Sequence, residues 1–248
     1  MKHRSLACLA LAAAGSAFAQ AAHLKTADIR VRDPFIYADR KASTYYLYAQ
    51  AGNREGSGFQ GVEVYTSTNL TEWAPPKPVL TLPEGSGVAM VWAPEMHAYN
   101  GAYYLFVTLT LHATVADEKP VTAKNWPKMH KRGTWIFRAG SPAGPFLPLK
   151  NGPVTPPGWM SLDGTLVVEN QTPYMVFCHE WVQLIDGTID AMRLKPDLSD
   201  AAGDPMRLFR ASDAPGAKTG PNEGKIGRAH VELQSRLQLV CRLLLEKK

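Results

Sequence analysis

Two aspartates occupy matching places in this 248-residue sequence, and their settings suggest acid–base chemistry. Asp33 lies in the string Arg32-Asp33-Pro34-Phe35, and Asp163 lies in the string Ser161-Leu162-Asp163-Gly164. Two carboxyl groups that share a pocket repel each other as anions, so one keeps its proton while the other accepts one. Each aspartate also has a structural interpretation, because Asp-Pro is common where strands begin and Asp-Gly is a frequent hairpin turn.

These aspartates recur within a longer repeat. Segments that begin at Asp33, Ala93 and Leu162 each run from a short opening through a turn to an aromatic strand, and their starts lie about 60 to 70 residues apart. Alternating apolar residues, Asn-Gly and Asp-Gly turns, 20 glycines and 19 prolines favour hairpins over helices. The repeat predicts an all-β propeller, whereas a two-sheet sandwich predicts no opening motif that recurs at blade length. Its blades are predicted at residues 28–80, 88–150 and 158–210.

A propeller would bring these openings together, since its innermost strands converge on a central channel. Trp92 and Trp181 are then either core aromatics or flat platforms for the C–H face of a sugar ring. His97 follows Glu95 by one alternation step, so both lie on one strand face, where a histidine can contact water, sugar or a cation. A single histidine is weak evidence for a metal, and no metal site is predicted.

The three opening motifs together resemble glycoside hydrolase family 43. Arg32-Asp33-Pro34-Phe35, Val91-Trp92-Ala93-Pro94-Glu95 and Ser161-Leu162-Asp163-Gly164 carry the resemblance, which spans roughly residues 28–215. It implies a five-bladed β-propeller, of which about three blades fall in this chain. It also implies an inverting glycosidase that acts on arabinose- or xylose-containing plant polysaccharides or oligosaccharides.

The resemblance assigns roles to several residues. Asp33 maps onto the general base, and Asp163 maps onto the aspartate that orients and tunes the acid. The segment Cys178-His179-Glu180-Trp181 lies where the family places pocket residues, and Glu180 is our candidate for the general acid. The family's acid usually lies about 60 residues after the tuning aspartate, which points to Glu223, but no apolar strand follows Glu223. The predicted substrate-binding residues are Trp92, Glu95, His97, His179 and Trp181.

Two other functions remain open at this point. A fructan hydrolase of a related propeller family would retain configuration, but its Arg-Asp-Pro motif is expected in blade three and occurs here in blade one. A non-catalytic sugar-binding propeller would keep Trp92 and Trp181 but tolerate loss of the carboxylates. No organic cofactor is expected, although a structural cation in the channel is possible.

The two ends of the sequence differ from its body. Residues 1–19 have the basic start, apolar stretch and small final residues of a signal peptide, which predicts a secreted or periplasmic protein with no membrane segment after cleavage. Residues 225–248 have helical apolar spacing and look like translated sequencing-adapter DNA; a genuine amphipathic helix is the alternative. The domain is therefore predicted at 20–224, and a chain without the last blades is expected to be inactive.

The net charge of +5 resides at these ends. Residues 225–248 contain six Lys or Arg and two Glu, a net of +4, and Lys2 and Arg4 add +2, so the remaining body is near −1. A basic patch for nucleic acid is thus not predicted. The expected partner is a carbohydrate.

Overall fold

The computed structural model describes residues 23–51, 58–115 and 127–213. The predicted signal peptide, the tail at 225–248 and Glu223 lie outside these residues. The all-β prediction is confirmed, because three four-stranded antiparallel sheets make up most of the described chain. We call these sheets blades one, two and three.

Blade one begins after a short anchoring segment. Strand β1 (Leu24–Lys25) pairs with β5 (Glu72–Trp73) outside the main sheet, and Trp73 Nε1 donates to Thr26 Oγ1 at 2.9 Å. The sheet of blade one contains β2 (Phe35–Asp39), β3 (Thr44–Ala51), β4 (Gly61–Ser67) and β6 (Lys77–Thr81), in that order. The anchor fixes the chain immediately before Asp33.

Blade two has the longest strands. It contains β7 (Val88–Tyr99), β8 (Ala102–Thr114), β9 (His130–Ala139) and β10 (Leu147–Pro148), each paired with the next. Asn100 and Gly101 connect β7 to β8 with φ values of 47° and 75°, as the predicted Asn-Gly hairpin turn requires.

Blade three repeats the pattern. It contains β11 (Ser161–Glu169), β12 (Thr172–His179), β13 (Thr188–Arg193) and β14 (Met206–Arg210), with α1 (Trp181–Leu184) between β12 and β13. Strand β7 contacts both β2 and β11, so the first strand of blade two meets the first strands of blades one and three. This arrangement brings the three opening motifs together.

Buried apolar side chains hold neighbouring blades face to face. Tyr48 and Val64 of blade one pack in one cluster with Leu105 and Phe137 of blade two. On the other face of blade two, Phe106 and Ile136 share a cluster with Met175, Phe177 and Met192 of blade three. Each large side chain that is fully buried contributes roughly 1.5–3 kcal/mol. Blade two is thus buried on both faces, which explains its nearly continuous apolar run from Tyr103 to Leu111.

Candidate active site

An unusual backbone conformation recurs at the opening of each blade. Asp33, Ala93 and Asp163 have φ values of 48°, 40° and 56°, in the left-handed region that non-glycine residues seldom adopt. Such residues cost of order 1–3 kcal/mol each and cluster at functional sites. Two of the three equivalent positions carry a carboxylate. The repeat predicted from sequence therefore extends to the local backbone geometry.

Asp33 is accessible to solvent, and the residues that precede it in the sequence are packed in place. Its side chain is 54% exposed, and its Oδ2 lies 3.3 Å from Nε of Arg32, which is itself 84% exposed. An ion pair so open to water contributes little to stability. Ile29 and Val31 pack against the cluster around Trp73, which holds the chain before Asp33. The Asp33 carboxylate is therefore free to contact a water molecule or a substrate.

Asp163 is held in place by threonines from blade two. It lies in an irregularity of β11 between Leu162 and Thr165, and not in a hairpin turn. The Asp163 amide donates to Thr108 Oγ1 at 2.8 Å, and the Gly164 amide donates to Thr134 Oγ1 at 3.1 Å. Thr108 and Thr134 are opposite each other in the β8–β9 pairing. The strained backbone at Asp163 is thus docked onto a neighbouring blade.

Gly164 makes this docking possible, and its replacement is a direct test. A Cβ at this position would lie 2.8 Å from Thr134 Cγ2 and Oγ1 and 2.9 Å from Met175 Sδ. We expect Gly164→Ala to lower the free energy of unfolding by about 1–3 kcal/mol through overpacking. Gly140→Ala is the matched control, since no atom lies within 4 Å of its Cβ position. Urea denaturation of both variants measures the difference, and equal stability would contradict the docking of β11.

Carboxylates from all three blades influence Asp163. Burial, and after it the negative charges of Asp33, Glu180 and Glu95, together raise the pKa of Asp163 to about 7, while Arg132 acts in the opposite direction. Asp33 comes from blade one, Glu95 from blade two and Glu180 from the segment that directly follows β12 in blade three. Charges from all three blades thus act on this one carboxyl group, and the convergence of Asp33, Asp163 and Glu180 on a single pocket stays a prediction.

Glu180 forms a buried ion pair with Arg132, a residue that the motifs did not identify. Arg132 Nη1 donates to Glu180 Oε2, and the two side chains are only 9% and 10% exposed, respectively. Arg132 Nε also donates to Thr110 Oγ1 at 2.8 Å, and its guanidinium carbon lies 4.3 Å from the centroid of the Trp92 ring. Burial raises the pKa of Glu180, and Arg132 opposes that rise. One face of Trp92 is thus occupied by a cation.

Glu95 and His97 link blade two to blade three. His97 Nε2 lies 3.0 Å from Glu95 Oε1, and this oxygen also accepts from Thr165 Oγ1 at 2.7 Å. The His97 ring lies edge-on to Phe106, with centroids 5.2 Å apart. Both residues keep part of their side chains accessible, at 30% for Glu95 and 19% for His97. Their contact with substrate stays a prediction.

The structure places His179 and Trp181 among packed side chains. His179 is buried and stacks on Trp159 with ring centroids 4.0 Å apart, and its Nε2 lies 2.8 Å from Gln183 Oε1. Burial lowers the pKa of His179, so its imidazole is neutral at pH 7. Trp181 packs against the cluster that contains Met160. These contacts show a structural use for both residues, and their predicted contact with sugar stays a prediction.

Two other kinds of site are absent from the described residues. Within residues 23–51, 58–115 and 127–213, no group of three or more His, Cys, Asp or Glu side chains is arranged to hold a metal ion. In that part of the chain no helix has the length and apolar character needed to span a membrane.

Comparison with known proteins identifies the family of the chain. The profile described as "Glycosyl hydrolases family 43" matches residues 26–226. The chain belongs to glycosyl hydrolase family 43. A comparison with curated protein sequences finds no match. The family match includes Asp33 and Asp163, and it extends to Glu223.

Solved structures agree with this family. The chain is similar to an endo-arabinase from Bacteroides thetaiotaomicron VPI-5482, with 35% identity and a TM-score of 0.63 over 79% of this chain and 62% of that one. An α-L-arabinofuranosidase from Lactobacillus brevis shares 16% identity, with a TM-score of 0.54 over 72% and 53% of the two chains. An exo-beta-1,3-galactanase from Phanerochaete chrysosporium shares 18% identity, with a TM-score of 0.52 over 75% and 41%.

These comparisons confirm the predicted fold class, an all-β member of the five-bladed propeller family. The chain spans less than two thirds of the length of each of these solved structures. The three described blades thus correspond to part of such a fold.

Proposed function

We propose that this family 43 protein is a glycosidase that cleaves arabinose- or xylose-containing plant polysaccharides or oligosaccharides with inversion of configuration. The observation that carries the proposal is the contact of the first strand of blade two with the first strands of blades one and three. This contact brings Asp33, Glu95 and Glu180 close enough to Asp163 for their negative charges to help raise its pKa to about 7. A site that hydrolyses glycosides needs carboxyl groups held in different protonation states. The similarity to an endo-arabinase makes linear arabino-oligosaccharides the first substrate to test.

In this mechanism Asp33 acts on water. Its accessible carboxylate takes a proton from a water molecule while the water oxygen attacks the anomeric carbon of the sugar. The glycosidic C–O bond breaks, and the leaving oxygen takes a proton from a carboxylic acid. In inverting enzymes the two carboxyl groups lie about 6.5–9.5 Å apart to leave room for water. Asp163 takes neither role and instead tunes the acid. Its carboxyl group holds a proton at mildly acidic pH, and the charges of its neighbours shift its pKa.

Two glutamates compete for the role of general acid. Burial favours a protonated Glu180, but its bond to Arg132 favours the carboxylate. Glu223 lies within the family match and outside the described residues. The ion pair at Glu180 therefore supports Glu223 as the proton donor, contrary to our preference from sequence.

Product stereochemistry tests the proposal. We expect the protein produced from its natural gene to hydrolyse arabino- or xylo-oligosaccharides and to release first the anomer opposite to that of the cleaved bond, as followed by proton NMR. First release of the same anomer would instead indicate a retaining mechanism, as in the fructan hydrolases. If purified protein that melts cooperatively bound such sugars without cleaving them, a non-catalytic role would replace the proposal.

A further inference from the structure

Arg132 lies at the junction of blades two and three. On blade two, Arg132 and Thr134 alternate along β9 and therefore share a face with their cross-strand partners Thr110 and Thr108. The threonines Thr108 and Thr134 of this face accept hydrogen bonds from the Asp163 region. Arg132 continues the same face toward the end of β12, where Glu180 begins the next segment.

Three contacts fix the Arg132 guanidinium. Thr110 Oγ1 accepts from Nε at 2.8 Å, the Trp92 ring packs 4.3 Å away, and Glu180 accepts from Nη1. A planar guanidinium suits this combination of a stacked aromatic and a directed carboxylate, which an ammonium group does not reproduce. The side chain retains only 9% of its accessible surface. Arg132 is thus a fixed charge within the site.

We propose that Arg132 is a positioning residue that holds Glu180 as a carboxylate and orients Trp92, so that Glu180 shapes the site and does not donate the proton. This inference rests on the proposed glycosidase function. A resting general acid must carry its proton, and a protonated Glu180 would leave the buried Arg132 cation without its anion. Glu180 therefore acts on substrate through Arg132 and Trp92.

The charges around this pair are mixed. Asp163 is influenced by the anions Asp33, Glu95 and Glu180 and by the cation Arg132. Glu180 itself is influenced by Arg132 and by burial. Removal of Arg132 would leave Glu180 buried without its cation, so its pKa would rise further. The protonation of Glu180 is thus the property that reports the role of Arg132.

Leaving-group dependence separates a positioning role from a proton donor. Glu180→Gln is assayed on an arabino-oligosaccharide and on its dinitrophenyl glycoside, whose leaving group departs without protonation. We expect the same fractional loss of kcat on both substrates. If Glu180 were the acid, the loss on the oligosaccharide would exceed that on the dinitrophenyl glycoside by about a hundredfold or more, which would overturn the proposal.

Arginine variants test the other half of the pair. We expect Arg132→Met to reduce kcat by about the same factor as Glu180→Gln. The double variant should lose little more, because both substitutions break the same interaction. Arg132→Lys should recover only part of the loss. Arg138→Met is the matched control, because Arg138 is an exposed arginine of the same strand. Multiplicative losses in the double variant would contradict the pairing.

A readout that needs no activity keeps this inference separate from the proposed function. Carbon-13 NMR titration follows the Glu180 carboxyl signal, assigned by its loss in Glu180→Gln. We expect Arg132→Met to raise the midpoint of this titration by about one pH unit or more, whereas Arg138→Met leaves it in place. An unmoved midpoint in Arg132→Met would overturn the inference even in an active enzyme. A wild-type protein that releases no sugar would contradict the proposed function alone.

Discussion

Asp33→Asn is expected to reduce kcat on arabino-oligosaccharides by about a thousandfold and to leave their binding nearly unchanged. An amide has the shape of a carboxylate but cannot accept a proton from water, so only the chemical step is lost. The Asp33 side chain is 54% exposed and pairs with the exposed Arg32, so the substitution should barely alter stability. Steady-state kinetics and calorimetric titration of sugar into the variant measure the two effects.

Asp28→Asn provides the control for this prediction. Asp28 is an exposed aspartate of the same segment and lies in the short 3-10 helix Thr26–Asp28. Its replacement should change neither kcat nor binding. A thousandfold loss confined to Asp33→Asn would support the base, whereas normal turnover in Asp33→Asn would remove this residue from the mechanism. Loss of sugar binding together with turnover would indicate a role in binding instead.

The repeat was predictable from sequence because each blade has the same local backbone geometry, which requires similar short sequence patterns. The openings at Asp33, Ala93 and Asp163 share a left-handed residue, and a proline follows two of them. Alternating aromatic strands and the Asn100-Gly101 turn added independent support. These signals are local, so a single sequence contains them.

The Asp163-Gly164 pair shows where local signals become ambiguous. Asp-Gly is typical of a hairpin turn, but here it lies inside β11 and donates both amides to threonines of blade two. Its environment is decided by a neighbouring blade some 30 to 55 residues earlier in the sequence. The turn interpretation of Asp163 was therefore wrong, because tertiary contacts with blade two determine its conformation.

The Arg132 ion pair could not be predicted for the same reason. Arg132 and Glu180 are 48 residues apart, and neither lies in a motif that names its partner. The stacking of His179 on Trp159 and its contact with Gln183 likewise carry no sequence signal, and its contact with sugar stays a prediction. Motifs thus located the aspartates, while packing between blades determined which charges surround them.

Asp163→Asn is expected to make the protein more stable at neutral and alkaline pH while it abolishes efficient turnover. Burial and neighbouring anions raise the pKa of Asp163 from 3.8 to about 7. A carboxyl group whose pKa is higher in the folded state stabilises that state fully below its unfolded pKa. This contribution is lost as pH rises from about 4 to about 7, because the unfolded chain releases the proton first.

The size of the effect follows from the same shift. The full difference corresponds to about 4 kcal/mol, and residual solvent access at this half-buried residue reduces it to about 2–4 kcal/mol. An asparagine is neutral at every pH and tolerates the left-handed backbone, with φ of 56°, as well as aspartate does. Its amide can still donate to Thr108. The variant should therefore avoid the cost of ionising a buried carboxyl group and still keep its hydrogen bond to blade two.

Urea denaturation at pH 4.5, 6 and 8 measures this difference. We expect the advantage of Asp163→Asn over wild type to be small at pH 4.5 and to grow by about 2–4 kcal/mol by pH 8, where the wild-type carboxylate is ionised. Asp28→Asn, at an exposed site, should show no such growth. If the stability advantage of Asp163→Asn does not change with pH, Asp163 is ionised over the whole range. Its carboxyl group would then carry no proton in the active site. A pH-dependent gain in stability, paired with a loss of turnover, would instead show that the fold tolerates a strained, desolvated carboxyl group because the reaction requires it.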